Sequence, residues 1–131
     1  MTPEFAIYRQ LFIECLKHHA KTYDYLPKAG TKYPFIYIGN SNDLDQSHSD
    51  LLGTVDQTIH IYATSEQRAD LDVLKAKLHD GIRNIRKAFD YNVNLINYTQ
   101  RNINDNTDVL PLIHTVIDVS FTYTKGEQLN G

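Results

Sequence analysis

Between Thr54 and Phe89 the spacing of apolar residues changes from every second position to every third or fourth, and that switch limits the folds open to the chain. In Thr54–Ala63, Val55, Ile59, Ile61 and Ala63 fall on one side of an extended segment. Asp56, Thr58, His60 and Tyr62 fall on the other, and Gln57 is the one lapse on the apolar side. Period 2 with one apolar side predicts a half-buried strand. After Ser65, the residues Leu71, Leu74, Leu78, Ile82, Ile85 and Phe89 recur at three- and four-residue spacing. That places them in one stripe along a helix. A strand feeding such a helix predicts a helix packed back on its own sheet. Nothing in the stretch has the look of catalytic machinery.

The elements on either side extend the pattern. Thr2-Pro3-Glu4 suits a helix start: a capping hydroxyl, a proline at the first helical position and an acid near the positive end of the dipole. Phe5, Ile7, Tyr8, Leu11, Phe12, Cys15 and Leu16 then cover about half of a helix circumference, with Ile13 among the polar residues. Tyr23 to Lys32 reads as a loop holding Pro27 and Gly30. Tyr33 to Gly39 reads as a strand with Pro34 at its start or on an edge.

The stretch 40–53 is the most polar and reads as a long loop. Its Asp43, Asp45 and Asp50 look superficially like a calcium loop. The required Gly and Glu are absent at the sixth and twelfth positions, so no metal is expected there. Thr64 and Gln67 can form a capping box, with Asp70 as a second candidate start. Gly81 in the second helix predicts another backbone close by. Val93–Ile103 and Leu112–Thr124 read as a hairpin around an Asn/Asp-rich turn, and 125–131 as a loose tail.

The expectation is one α+β domain over 1–131 in the order α-β-β-α-β-β: a mainly antiparallel four-stranded sheet covered by two helices on one face. A chain of 131 residues with 41% hydrophobic residues can bury a core of that size. The net charge of −3 gives no general attraction for nucleic acid. No apolar run reaches the roughly 18 residues of a membrane span, and Met1 to Phe5 lacks the pattern of a signal peptide. One cysteine excludes an intrachain disulfide. A protein assembled in the cytoplasm, without a membrane partner, is therefore expected.

Chemistry-bearing residues are scattered. Glu14 and His18 are four apart on the first helix, a spacing that can hold a metal, with His19 beside them. His19 falls on the apolar face and His18 at its border, which favours structural roles. His60 and His114 lie on the polar sides of their strands, where they can meet across the sheet. No phosphate loop, nucleophile elbow or paired-cysteine motif occurs. No catalytic residue, metal or cofactor is expected. Nine Tyr with no Trp suit half-exposed strands and interfaces.

The order of a helix, Tyr33-Pro34-Phe35-Ile36-Tyr37-Ile38-Gly39, a polar stretch, Gln57-Thr58-Ile59-His60-Ile61-Tyr62, a helix, and a hairpin ending Asp118-Val119-Ser120-Phe121-Thr122-Tyr123 resembles the tail terminator proteins of long-tailed bacteriophages (siphoviruses). These are also called tail completion or tail-to-head joining proteins. The resemblance covers most of residues 3 to 124; the family's Gly-containing turn before the second helix has no counterpart in Thr64–Asp70. The resemblance implies a structural virion protein of the tail or neck and not an enzyme. It implies a hexameric ring that caps the tail tube. Its partners would be further copies of itself, the major tail tube protein and the head connector or stopper, with DNA only in transit. Another head–tail completion protein of similar size is the alternative, followed by a small metal-binding enzyme using Glu14, His18 and His19. Candidate interface residues are Asp43, Asp45, Asp50, His60, Tyr62, Arg83, Arg86 and Lys87, with Tyr98 and Ile13 also on sides read as exposed.

Overall fold

Two helices lie on one face of a six-stranded mixed sheet that curls into a half-barrel. The structure is a computed structural model and describes residues 1–46, 49–106 and 109–125. The order is α1 (Pro3–His18), β1 (Thr22–Tyr23), β2 (Phe35–Gln46), β3 (Ser49–Thr64), a 3-10 turn (Ser65–Gln67), α2 (Arg68–Arg83), β4 (Lys87–Ala88), β5 (Tyr91–Asp105) and β6 (Leu112–Lys125). Across the sheet the strands run β1-β2-β3-β6-β5-β4, all neighbours antiparallel except β1 and β2.

The fold is α+β, but the expected four-stranded antiparallel sheet is corrected. Two edge strands of two residues each are added, and one of them is parallel. Strands this short carry no readable alternation. Backbone contacts create them: Ile36 N–H donates to Lys21 O at 2.9 Å, and Val93 N–H donates to Arg86 O at 3.0 Å.

Of the expected loop 40–53, residues 40–46 instead continue β2 and residues 49–53 begin β3. Asn42 pairs with Asp56, Leu44 with Thr54, and Gly53 with Tyr123 of β6. Its described apolar side chains, Leu44 and Leu52, are exposed, so the core does not dictate its residue types. The ladder there is held by backbone groups and needs no apolar face. Asp45, Asp50 and the tail beyond Lys125 lie outside the residues whose side chains are described.

The core forms where both helices meet the sheet. Val55, Ile59, Ile61 and Ala63 of β3 are fully buried with Ile36 and Ile38 of β2 and Ile117, Val119 and Phe121 of β6. Helix α1 starts as expected, the Thr2 hydroxyl accepting from Phe5 N–H at 3.1 Å. Its buried stripe is Ala6, Ile7, Leu11 and Cys15, whereas Phe5 and Leu16 are exposed and Tyr8 and Phe12 stand at the margin. The expected apolar arc was thus wider than the face the core takes.

Helix α2 buries Leu71, Leu74, Leu78 and Ile82. Each such side chain contributes about 1.5–3 kcal/mol by leaving water. Gln67 does close the start, its Oε1 accepting from Thr64 N–H and its Nε2 donating to Tyr33 O, both at 3.0 Å.

The helix ends at Arg83 and not at Phe89. Asn84 N–H turns back to Gly81 O and Ile82 O, and the Arg86 guanidinium donates to Arg83 O at 2.7 Å. Ile85 still reaches the core beyond the helix. Phe89, with a φ of 58°, occupies the turn between β4 and β5 and is exposed.

Two bulges set which way side chains point. Between Ile38 and Ser41 the β2 register slips, so that Gly39 and Asn40 together oppose Thr58. Gln57 fills this defect. Its Nε2 lies 2.9 Å from Gly39 O and 3.0 Å from both Asn40 O and Thr58 O, and its Oε1 accepts from the Ser41 hydroxyl. The lapse in the apolar alternation is therefore a buried amide with partners. A second slip between Leu95 and Asn97 leaves Ile96 exposed and turns Tyr98 inward, where it stacks on His79 of α2 at 4.3 Å. The expectation that Tyr98 lies on an exposed side is corrected by that bulge.

Candidate functional site

The face of the sheet turned away from the helices carries its own ordered cluster. In β3 the buried Ile59, Ile61 and Ala63 point to the helices, so His60 and Tyr62 between them point away. Strand pairing then fixes their neighbours. Tyr37 and Phe35 of β2 lie opposite His60 and Tyr62, and His114 of β6 lies opposite Tyr62 on the other side.

The rings stack across three strands. Tyr62 and His114 have centroids 4.2 Å apart with planes 10° from parallel. Phe35 stacks on Tyr62 at 5.1 Å and on Tyr33 at 5.6 Å, while Tyr37 stacks on His60 at 5.4 Å. Such aromatic pairs contribute about 0.5–1.5 kcal/mol each beyond the area they bury. Phe35, Leu112 and Val116 are nearly inaccessible on this face although no helix covers it.

His60 Nδ1 and His114 Nε2 are 2.8 Å apart, so one ring donates its N–H to the lone pair of the other. Burial lowers the pKa of both rings below the usual histidine value, and His60 lowers that of His114 further. Burial raises the pKa of the Tyr62 hydroxyl, with a smaller contribution from Asp105. Gly39 makes room for this arrangement, because a Cβ there would sit 2.9 Å from His60 Nε2.

Further along the same face the layer becomes polar. Thr58 donates to Asp118 at 2.8 Å, Ser120 donates to Asp56 at 2.6 Å, and Arg101 stands 3.8 Å from Asp118. At the aromatic end, Tyr33, Phe35, Tyr62, Asp105 and Leu112 face segment 26–31 across an open cavity of about 380 Å³.

The other candidate residues lie elsewhere. Asp43 points to the helix side of the sheet and accepts from the Tyr123 hydroxyl at 3.0 Å. Arg83 pairs with Asp80 at the exposed end of α2, Arg86 caps that helix, and Lys87 is exposed on β4. Arg86 and Lys87 line an open cleft of about 480 Å³ with Glu14 and Lys17. The structure thus joins His60 to Tyr62 and gathers the basic residues at the other side of the molecule.

His114, Phe35 and Tyr37 complete the first cluster. Alternation placed His60 and His114 on polar faces, but only the β3–β6 register sets them in contact.

The helix-borne histidines are engaged. His18 Nε2 lies 2.9 Å from Glu14 Oε2, Lys17 Nζ lies 3.3 Å from Glu14 Oε1, and His19 Nε2 donates to Pro34 O at 2.7 Å. Among the described residues no group of three or more His, Cys, Asp or Glu converges on a point where a metal could sit.

No protein-family profile matches the chain, and no curated protein matches it in sequence. Among solved structures the fold is similar to a chain in the virion of a native gene transfer agent particle. The TM-score is 0.61 at 14% identity, over 96% of each chain. The fold is therefore one also used in a virion.

Proposed function

We propose that the protein is a structural component of a phage-like particle and acts as its tail terminator. In this reading copies of the chain form a hexameric ring that caps the finished tail tube and docks to the head connector or stopper. DNA crosses the central channel only in transit. The single observation that carries the reading is the shared fold with a chain of a gene transfer agent virion along nearly the full length of both. It agrees with the independent resemblance of residues 3 to 124 to tail terminators. A binding or scaffolding role also suits the described surfaces, which offer stacked rings, a polar ladder and a separate basic corner instead of a converging set of acid, base and nucleophile.

The sheet supplies a physical route to rings. Strands β1 and β4 pair with only two residues each of β2 and β5, so long stretches of both outer edges have no strand partner among the described residues. Unpaired edges favour pairing with another chain. An edge-to-edge contact between unlike edges repeats head to tail and can close a ring.

The test is co-expression with a tail tube protein and a head connector protein from the same genome, followed by electron microscopy and sedimentation. Six-fold rings seated on tube ends are the expected result. A chain that stays monomeric at high concentration and never associates with tube ends would sink the terminator role. Labelling that places it on the head side of the connector would favour a head-completion role.

A further inference from the structure

We infer that His60 and His114 form a proton-operated latch, which holds the aromatic layer of the uncovered sheet face together until both rings are protonated. At 2.8 Å the two rings need one N–H and one lone pair between them. The neutral pair and the singly protonated pair both satisfy this. In the doubly protonated pair every ring nitrogen carries a hydrogen, so two N–H groups and two positive charges face each other at hydrogen-bond distance. The pair then has no bonded geometry available and must separate.

The groups around the pair are Tyr37 from β2, Tyr62 from β3, Asp118 from β6, and Arg101 and Asp105 from β5. The two carboxylates favour protonation and Arg101 opposes it. Asp118 already accepts from Thr58 and lies 3.8 Å from Arg101, which weakens its hold on the rings. Burial is the largest influence on both histidines and favours their neutral forms. In the unfolded chain the rings take up protons near the ordinary value of 6.5, whereas in the fold they resist until the pH is lower. The layer's contribution to stability is therefore complete above about pH 6.5 and falls as the pH drops through the folded values.

The latch has something to release. Tyr62 lies on His114 at 4.2 Å and on Phe35 at 5.1 Å, and both Tyr62 and Phe35 form a wall of the 380 Å³ cavity. Separating the histidines removes the support under Tyr62 and changes the shape of that cavity. Proton uptake on the open face is thereby tied to the form of a surface cleft.

Imidazole nitrogen NMR of the full chain, from about pH 8 to about pH 4.5, tests the coupling, with the near-UV circular dichroism of tyrosine recorded alongside. The expected result is two separated protonation steps for His60 and His114, with a loss of tyrosine signal at the second. His114→Gln keeps a polar group near His60 and cannot take up a proton. It should retain the neutral-pH signal and lose the acid step. Independent titration of both rings at the ordinary value would overturn the latch, as would a flat tyrosine signal through both steps or an acid step unchanged in H114Q. The wild-type titration decides the matter even where the variant does not fold.

Discussion

Gly81 of α2 stands directly against the carboxylate of Glu14 on α1, with no room for a methyl group between them. A Cβ at that position would lie 2.8 Å from His18 Nε2 and 3.0 Å from Glu14 Cδ. Glu14 is almost fully buried and is held by His18 and Lys17. The glycine therefore makes room for a buried side-chain carboxylate and its histidine partner, and not the close backbone that its presence in a helix predicts.

Gly81→Ala should consequently destabilise the protein although alanine is the better helix former by about 1 kcal/mol. Pushing the buried carboxylate aside costs more, so a net loss of about 1–2 kcal/mol is expected in urea unfolding. In an E14A/H18A background the obstruction is gone. The same substitution should there stabilise by about 1 kcal/mol. An alanine that stabilises the native background would contradict the packing of Glu14 against α2.

Gln57→Leu tests the bulge. At an ordinary core position in an alternating strand, leucine for glutamine would be neutral or favourable. Here the amide serves the carbonyls of Gly39 and Asn40, which the slipped register leaves opposite a single residue. Removing it takes three donor contacts from half-buried carbonyls, at about 1–3 kcal/mol in all. The expected outcome is a lower unfolding midpoint and faster amide exchange in residues 39–41. An equal or higher midpoint would mean that the bulge needs no amide.

These two sites show what was readable from the chain. The period-2 and period-3.6 patterns located β3, α1, most of α2 and the β5–β6 hairpin, because burial against one layer imposes those spacings directly. Polar strand extensions cannot be read that way: Asn42–Asp45 pairs through its backbone, and Asp43 meets the Tyr123 hydroxyl with no apolar period to announce it. The bulge at Ile96 was equally hidden, since one extra residue inverts the meaning of every later position. Strict alternation therefore points Tyr98 outward, and the bulge turns it in. The ring layer around His60 was half visible. Parity showed which face each histidine takes, but contact between β3 and β6 depends on a register across more than fifty residues.

Tyr98→Phe should stabilise the protein. The bulge carries the Tyr98 ring under α2, and its hydroxyl is buried with no hydrogen-bond partner among the described residues. Burial raises the pKa of that hydroxyl well above its usual value. Phenylalanine keeps the stack on His79 and removes the unsatisfied oxygen, for an expected gain of about 1 kcal/mol and a melting temperature a few degrees higher. A lower melting temperature would show that the hydroxyl has a partner when the chain is in solution.

Cys15 should report on opening of the α1 face. The thiol is fully buried beside Ile7 and Leu11, and burial pushes its pKa up to about 12. Native protein at neutral pH is expected to resist a thiol-specific reagent, because the reactive thiolate forms only when the helix lifts from the sheet. The labelling rate then measures the free energy of that opening. Leu78→Ala removes a fully buried side chain from α2 and should cost about 2–5 kcal/mol. At tenfold per 1.4 kcal/mol, labelling should accelerate by at least roughly 30-fold if opening of α1 requires loss of the shared core. Rapid stoichiometric labelling of the native chain would place Cys15 outside the packed core. Slow labelling unchanged by L78A would mean that α1 detaches on its own, with α2 still seated on the sheet.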